Sequence, residues 1–159
     1  MEMIQVALFG AGRIGRIHAG NLVRQPGVRL KYVVDVHAGA AAEVAALHGA
    51  SVASVETVLA DPAVKAVLIA SSTDTHADLI VRAAAAGKAI FCEKPVDLTL
   101  ERARAAAAHA VRSPAAAGRR RDGARWCHHR DHGDQRPRSR RRVLLTFARV
   151  HGHPRVRPA

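Results

Sequence analysis

The chain has 159 residues, enough for one domain with a core and too few for two domains of ordinary size. Apolar residues make up 48% but aromatics only 3%, so the interior must be built from Val, Leu, Ile and Ala, and no run reaches the roughly 20 apolar residues that span a bilayer. The formal charge of +12 is unevenly spread: residues 1–110 hold 11 Lys and Arg against 10 Asp and Glu, whereas residues 111–159 hold 14 arginines against 3 aspartates, a neutral body followed by a basic tail.

Residues 4–9, IQVALF, form a short apolar run closed by glycine, as expected of a buried parallel strand covered on both faces. From Ile14 to about Arg24 the apolar positions Ile14, Ile17, Leu22 and Val23 fall at helical spacing, and QPG closes that helix. A second strand, VRLKYVVD, ends at Asp35. An alanine-rich helix over about 39–48 stops at Gly49, and VETVLADPAV reads as a short helix halted by Asp61 and Pro62. Val64 to Ala70 form a third strong strand, followed by the polar loop SSTDTH, a helix over about 76–86 ending at Gly87, and the strand AIFC leading into EKP. Asp97 or Thr99 can cap a last Ala/Arg-rich helix running to about Arg112. Strands alternating with helix-length segments predict an α/β fold: a doubly wound parallel sheet with helices on both faces, over residues 1–112.

Gly10, Gly12 and Gly15 fit GxGxxG, placed directly after the first strand and opening a helix. In such a turn the first glycine permits the tight bend, the second lets a pyrophosphate approach the backbone, and the third lets helix and strand pack closely. Phosphate then meets the free amides and positive dipole end of the new helix, at Arg13, Ile14 and Gly15. Asp35, 20 residues beyond Gly15 at the end of the second strand, can accept hydrogen bonds from a ribose 2′-hydroxyl. A 2′-phosphate would meet its charge, and His37 is no substitute for an arginine, so NAD is favoured over NADP. The competing reading of the same residues is a tight turn and an acidic strand end with no ligand.

The segments GAGRIGRIHAGNL, VVD, ASSTDTHADLI and AGKAIFCEKPVDLTLERA, in that order, resemble the amino-terminal half of the glucose–fructose oxidoreductase/inositol dehydrogenase/rhizopine catabolism (Gfo/Idh/MocA) family, in its inositol 2-dehydrogenase branch. The likeness covers about residues 3–110. It implies a Rossmann-type domain that would be joined to a carboxyl-terminal α/β substrate domain, and hydride transfer from a polyol or sugar hydroxyl to NAD in homo-oligomeric enzymes. By that resemblance Ser71, Ser72 and Thr73 line the cofactor, with His76 beside them; by residue type alone, SSTDTH is also a capped helix start. The resemblance places Glu93 and Lys94 at the ligand crevice, Lys94 as the catalytic group, where an ammonium orients the substrate hydroxyl and stabilises negative charge developing on its oxygen. The alternative for Glu93 and Lys94 is an exposed charge pair. Cys92 reads as buried filling, since no histidine is placed beside it.

After about Arg112 the resemblance ends. Residues 113–159 contain no Lys, Glu or Ile, and only VLLTF is strand-like. They are expected to be a disordered tail that stands where the family has its second domain, which makes the chain a truncated and catalytically deficient one. One Trp and one Phe offer little for base stacking, so nucleic acid is not an expected partner. Cys127, His128, His129 and His132 do not match paired zinc spacings, and no metal site is expected. The composition of the tail is what a GC-rich gene yields when read out of frame. Sparse cysteines, with no basic-then-apolar leader at the start, predict a cytoplasmic protein without membrane contact.

Overall fold

The computed structural model describes residues 3–112, so the readings of the tail lie outside the described residues. In chain order these form β1 (Ile4–Phe9), α1 (Arg13–Val23), β2 (Val28–Val34), α2 (Ala38–His48), β3 (Ser51–Val52), α3 (Val55–Ala60), β4 (Val64–Ile69), α4 (Thr73–Ala85), β5 (Ala89–Cys92) and α5 (Leu100–Arg112). All strand pairs are parallel, in the order β3-β2-β1-β4-β5. The chain therefore builds outward from β1 to one side and then crosses back to β4 and the other. A switch of this kind leaves a crevice at the carboxyl ends of β1 and β4, because the loops leaving them diverge to opposite faces.

The two faces are read directly from the alternation of each strand. Ala7 and Phe9 of β1, with Val67 and Ile69 of β4, point into a core closed by Val58 of α3, Ile80 of α4, and Ala106 and Ala110 of α5. The intervening Leu8 and Leu68 point the other way, into a smaller core with Ala19 of α1, and Ala41 and Val44 of α2. Many of these helix positions are alanine, which brings helix and sheet close together with few large side chains; Phe9 is the largest fully buried one. The expected doubly wound parallel sheet of Rossmann type is thus observed.

Four local expectations differ from the structure. The second strand ends at Val34 and not at Asp35. The helix after SSTDTH begins at Thr73, three residues before the expected 76, because Ser72 already takes the extended conformation of an N-cap. The third strand ends at Ile69, not Ala70. The edge strand β3 was not anticipated; it is two exposed residues, Ser51 and Val52, paired with Tyr32 and Val33 of β2, and carries no apolar run to announce it. At the start of α5 it is Thr99 that caps, its Oγ1 accepting the Arg102 N–H at 3.4 Å, while Asp97 Oδ1 accepts the N–H of Thr99 itself at 3.0 Å and so holds the turn before the helix.

Candidate functional site

The turn between β1 and α1 has three glycines for three different reasons. Gly10 has φ +100°, and a Cβ there would run into the Ala70 carbonyl at the end of β4. A Cβ on Gly15 would strike the Gly10 carbonyl, so α1 can lie against the turn only without one. Gly12 is neither strained nor crowded: its backbone is extended (φ −69°, ψ −171°), and a Cβ would meet nothing within 4 Å. It is the N-cap of α1, supplies no capping side chain, and is followed by a first turn without an acidic residue. The amides of Arg13, Ile14 and Gly15 thus stand without a capping side chain at the positive end of a helix of 11 residues. Arg13 is exposed at the head of that helix, and Ile14 is half-buried.

Asp35 stands beside this turn and is tied to it. Its Oδ2 accepts the Ala11 N–H at 2.6 Å and its Oδ1 accepts the His37 N–H at 2.8 Å, which fixes the carboxylate at the end of β2. Arg16 closes the other side: Nε donates to the Ala11 carbonyl at 3.2 Å and the guanidinium fork grips both Glu43 oxygens at 2.8 and 2.7 Å. The hydrogen bond to Glu43 raises the Arg16 pKa and lowers that of Glu43.

At the end of β4, Ser71 Oγ lies 2.7 Å from Thr75 Oγ1, and the Thr75 hydroxyl donates to the Ser72 carbonyl at 2.7 Å. His76 is buried, with Nδ1 2.8 Å from the Pro95 carbonyl and Nε2 3.0 Å from the Ser71 carbonyl, so its ring joins the loop after β4 to the turn after β5. At the end of β5, Glu93 donates its N–H to the Ile69 carbonyl at 2.9 Å, while its Oε1 lies 2.5 Å from His18 Nε2 and its Oε2 accepts the Lys94 N–H at 3.3 Å. Glu93 and Lys94 are therefore not a side-chain ion pair. Lys94 is exposed and precedes a cis peptide bond to Pro95. Cys92 is buried, and its thiol pKa is pushed up to about 12 by burial and then by the Glu93 charge, which suits packing and not nucleophilic attack.

The candidate site residues from the sequence thus lie at the carboxyl ends of β1, β2, β4 and β5, in the loops that leave them, or in the first turns of α1 and α4. Three participants were not anticipated: Arg16, which braces the turn; the Pro95 carbonyl, which holds His76; and His18, which holds Glu93. No local pattern marks the last, because 75 residues separate its partners. Among the described residues no cluster of three His, Cys, Asp or Glu side chains suits a metal ion, and no helix is long and apolar enough to cross a membrane.

Residues 4–117 match the model of the Gfo/Idh/MocA oxidoreductase family with an NAD-binding Rossmann fold. The chain belongs to that family. It is 47% identical over 102 residues to the inositol 2-dehydrogenase of Rhizobium meliloti, a match covering 64% of this chain and 31% of that protein. The structure of a myo-inositol dehydrogenase from Corynebacterium glutamicum superposes with a TM-score of 0.64 at 38% identity, over 68% of this chain and 33% of that one. A scyllo-inositol dehydrogenase from Lactobacillus casei, solved with NAD(H) and scyllo-inositol bound, gives 0.62 at 27% identity, over 69% and 34%. This member of the family spans about a third of the length of the curated relatives it matches. The expected family and fold are borne out, and so is NAD as the cofactor the family fold is built to hold.

Proposed function

We propose that residues 1–112 bind NAD as the cofactor domain of an inositol 2-dehydrogenase-type oxidoreductase, and that residues 113–159 are an arginine-rich segment separate from it. The observation that carries the reading is Gly12: a glycine required by neither backbone strain nor packing, whose missing side chain leaves the first amides of α1 open to an outside anion. The residues fit a dinucleotide. The amides of Arg13, Ile14 and Gly15, with the Arg13 guanidinium, would hold the pyrophosphate. Asp35 keeps lone pairs free beyond its two backbone partners and would accept from the ribose hydroxyls, while repelling a 2′-phosphate.

Ser71, Ser72 and Thr73 would border the nicotinamide half, and His76 would keep Ser71 in place through its carbonyl. When bound, NAD supplies the hydride acceptor. Lys94 is the group of this chain nearest to chemistry: its exposed ammonium would orient a polyol hydroxyl and stabilise the negative charge that develops on its oxygen. The family resemblance assigns proton removal to an Asp and His of the second domain, and residues 113–159 do not carry that segment. The chain alone is therefore expected to bind NAD without turnover, and a polyol substrate and a homo-oligomer are what the family resemblance implies for an enzyme that carries the second domain.

Titration calorimetry of the full chain with NAD, NADH and ADP-ribose tests the binding, and absorbance of NADH in the presence of NAD and myo-inositol tests the chemistry. Heat with all three ligands and no NADH production is the expected result. Silence at millimolar NAD from folded protein overturns the binding; sustained NADH production overturns the absence of turnover.

A further inference from the structure

His18 lies on α1 five residues after Arg13, so the helix that would receive the phosphates also carries a ring that reaches the turn after β5. The ring meets Phe91 edge-on, with centroids 5.3 Å apart and planes at 65°, and its Nε2 is 2.5 Å from Glu93 Oε1. Both side chains are well shielded, at 15% and 14% exposure, where a hydrogen bond to a carboxylate is stronger than at the surface. Glu93 is thereby spoken for on three sides: His18 on one oxygen, the Lys94 N–H on the other, and the Ile69 carbonyl on its own amide. Its Oε1 meets α1 through His18, and among the described residues it forms no ion pair with the Lys94 ammonium.

We propose that His18 is a positioning residue that keeps Glu93 from neutralising Lys94, so that the lysine's charge remains directed at the ligand. The inference rests on the proposed placement of the nicotinamide beside Lys94. Without the ring, Glu93 Oε1 loses its partner and the nearest cation is the next residue in the chain. An ion pair there would quench the field that Lys94 exerts on a bound ligand.

That field has a signature. The nicotinamide ring is cationic in NAD and neutral in NADH, so an unquenched ammonium favours NADH over NAD, whereas ADP-ribose, which lacks the ring, is indifferent to it. The experiment compares the affinities of NADH, NAD and ADP-ribose for the full chain and its H18L, H18Q and K94M variants. K94M is expected to lower the NADH-to-NAD affinity ratio roughly three- to tenfold, and H18L to lower it at least about threefold, with ADP-ribose affinity unchanged. H18Q, whose amide can still donate to Glu93, should keep the ratio within about twofold of the parent.

A parental ratio in H18L alongside a lowered one in K94M overturns the positioning role and leaves the dinucleotide reading standing. Failure of the parent chain to bind ADP-ribose, or a K94M variant with an unchanged ratio, overturns the placement of cofactor or lysine and this inference with it. Should H18L not fold, H18N replaces it: its amide falls short of Glu93, and equal ratios in H18N and H18Q refute the proposal.

Discussion

Helices α1 and α3 begin with the same physical problem and solve it in opposite ways. At the start of α3, Ser54 accepts the Thr57 N–H at 3.1 Å and Glu56 places a carboxylate in the first turn, so the free amides and the dipole are answered from within the chain. At the start of α1 the N-cap is Gly12, with no capping side chain and no acid in the first turn. The first arrangement is what stability alone favours. The second leaves stability unclaimed at a helix start that faces the crevice between β1 and β4.

The comparison breaks most severely at Gly15. A methyl there overlaps the Gly10 carbonyl, backbone against helix, and cannot be relieved by turning a side chain. G15A is expected to cost on the order of 3 kcal/mol or more, a large fraction of what a domain of this size possesses, and to remove NAD binding as α1 lifts from the turn. Urea unfolding followed by circular dichroism measures the first effect. A G15A protein as stable as the parent would mean that α1 does not press on the turn.

Gly12 sharpens it, because G12D rebuilds α1 in the manner of α3. The extended backbone already suits an N-cap, so the new carboxylate should accept amides of the first turn and raise stability by a few tenths to about 1 kcal/mol. The same carboxylate would fill the place of the phosphates, and NAD affinity should fall by roughly a hundredfold or more, about 2.7 kcal/mol. Opposite signs from one substitution distinguish an open helix end from a merely uncapped one. If calorimetry shows G12D binding NAD as the parent does, the pyrophosphate lies elsewhere. The reciprocal change at the closed helix is smaller: S54A should lose about 1 kcal/mol in urea unfolding and leave NAD affinity untouched.

How much of this was legible in the sequence follows the range of each signal. The parallel sheet was, because β1, β4 and β5 are largely apolar runs a few residues long and β2 is a β-branched strand interrupted by Arg29 and Lys31, all bounded by Gly, Pro or polar clusters. The glycine turn and the nearness of Asp35 to it were, because a strand, a turn, a helix and a second strand in sequence bring them to one place. Strand β3 was hidden, since it rests on backbone pairing to β2 and its side chains are exposed. The contacts that tie the strand ends together were hidden as well. Ala11 to Asp35, His76 to Pro95 and His18 to Glu93 span 24, 19 and 75 residues, and nothing local to any one residue encodes its partner. His76 and Glu93 are singled out by resemblance; only the structure shows that the first bridges two loops and that the second meets His18 of α1.

The two helix starts should also separate on acidification. The Glu56 pKa lies below the ordinary value of 4.5, first because its backbone amide donates to it and then because the Arg82 guanidinium reaches its Oε1 at 2.7 Å. Beyond the other end of α3, Asp61 lies below its ordinary 3.8, chiefly through the 2.6 Å bond from Lys31 and the Ala63 amide. A carboxyl group whose pKa is lower folded than unfolded adds stability above the unfolded value, and that stability drains away as protons bind on the way down to the folded value. The Tm should therefore decline as the pH is taken below about 4.5, through α3 and its flanks, while α1, with no acid in its first turn, contributes there only through the pair of its Arg16 with Glu43. Glu56 is 73% exposed on its side chain and Asp61 only 16%, so added salt should erase the contribution of the first before that of the second. Thermal melts of the parent, E56Q and D61N between neutral pH and pH ~3 test this. A D61N profile as steep as the parent's would show that the Lys31 pair does not anchor the end of α3, and that the two helices differ at their starts alone.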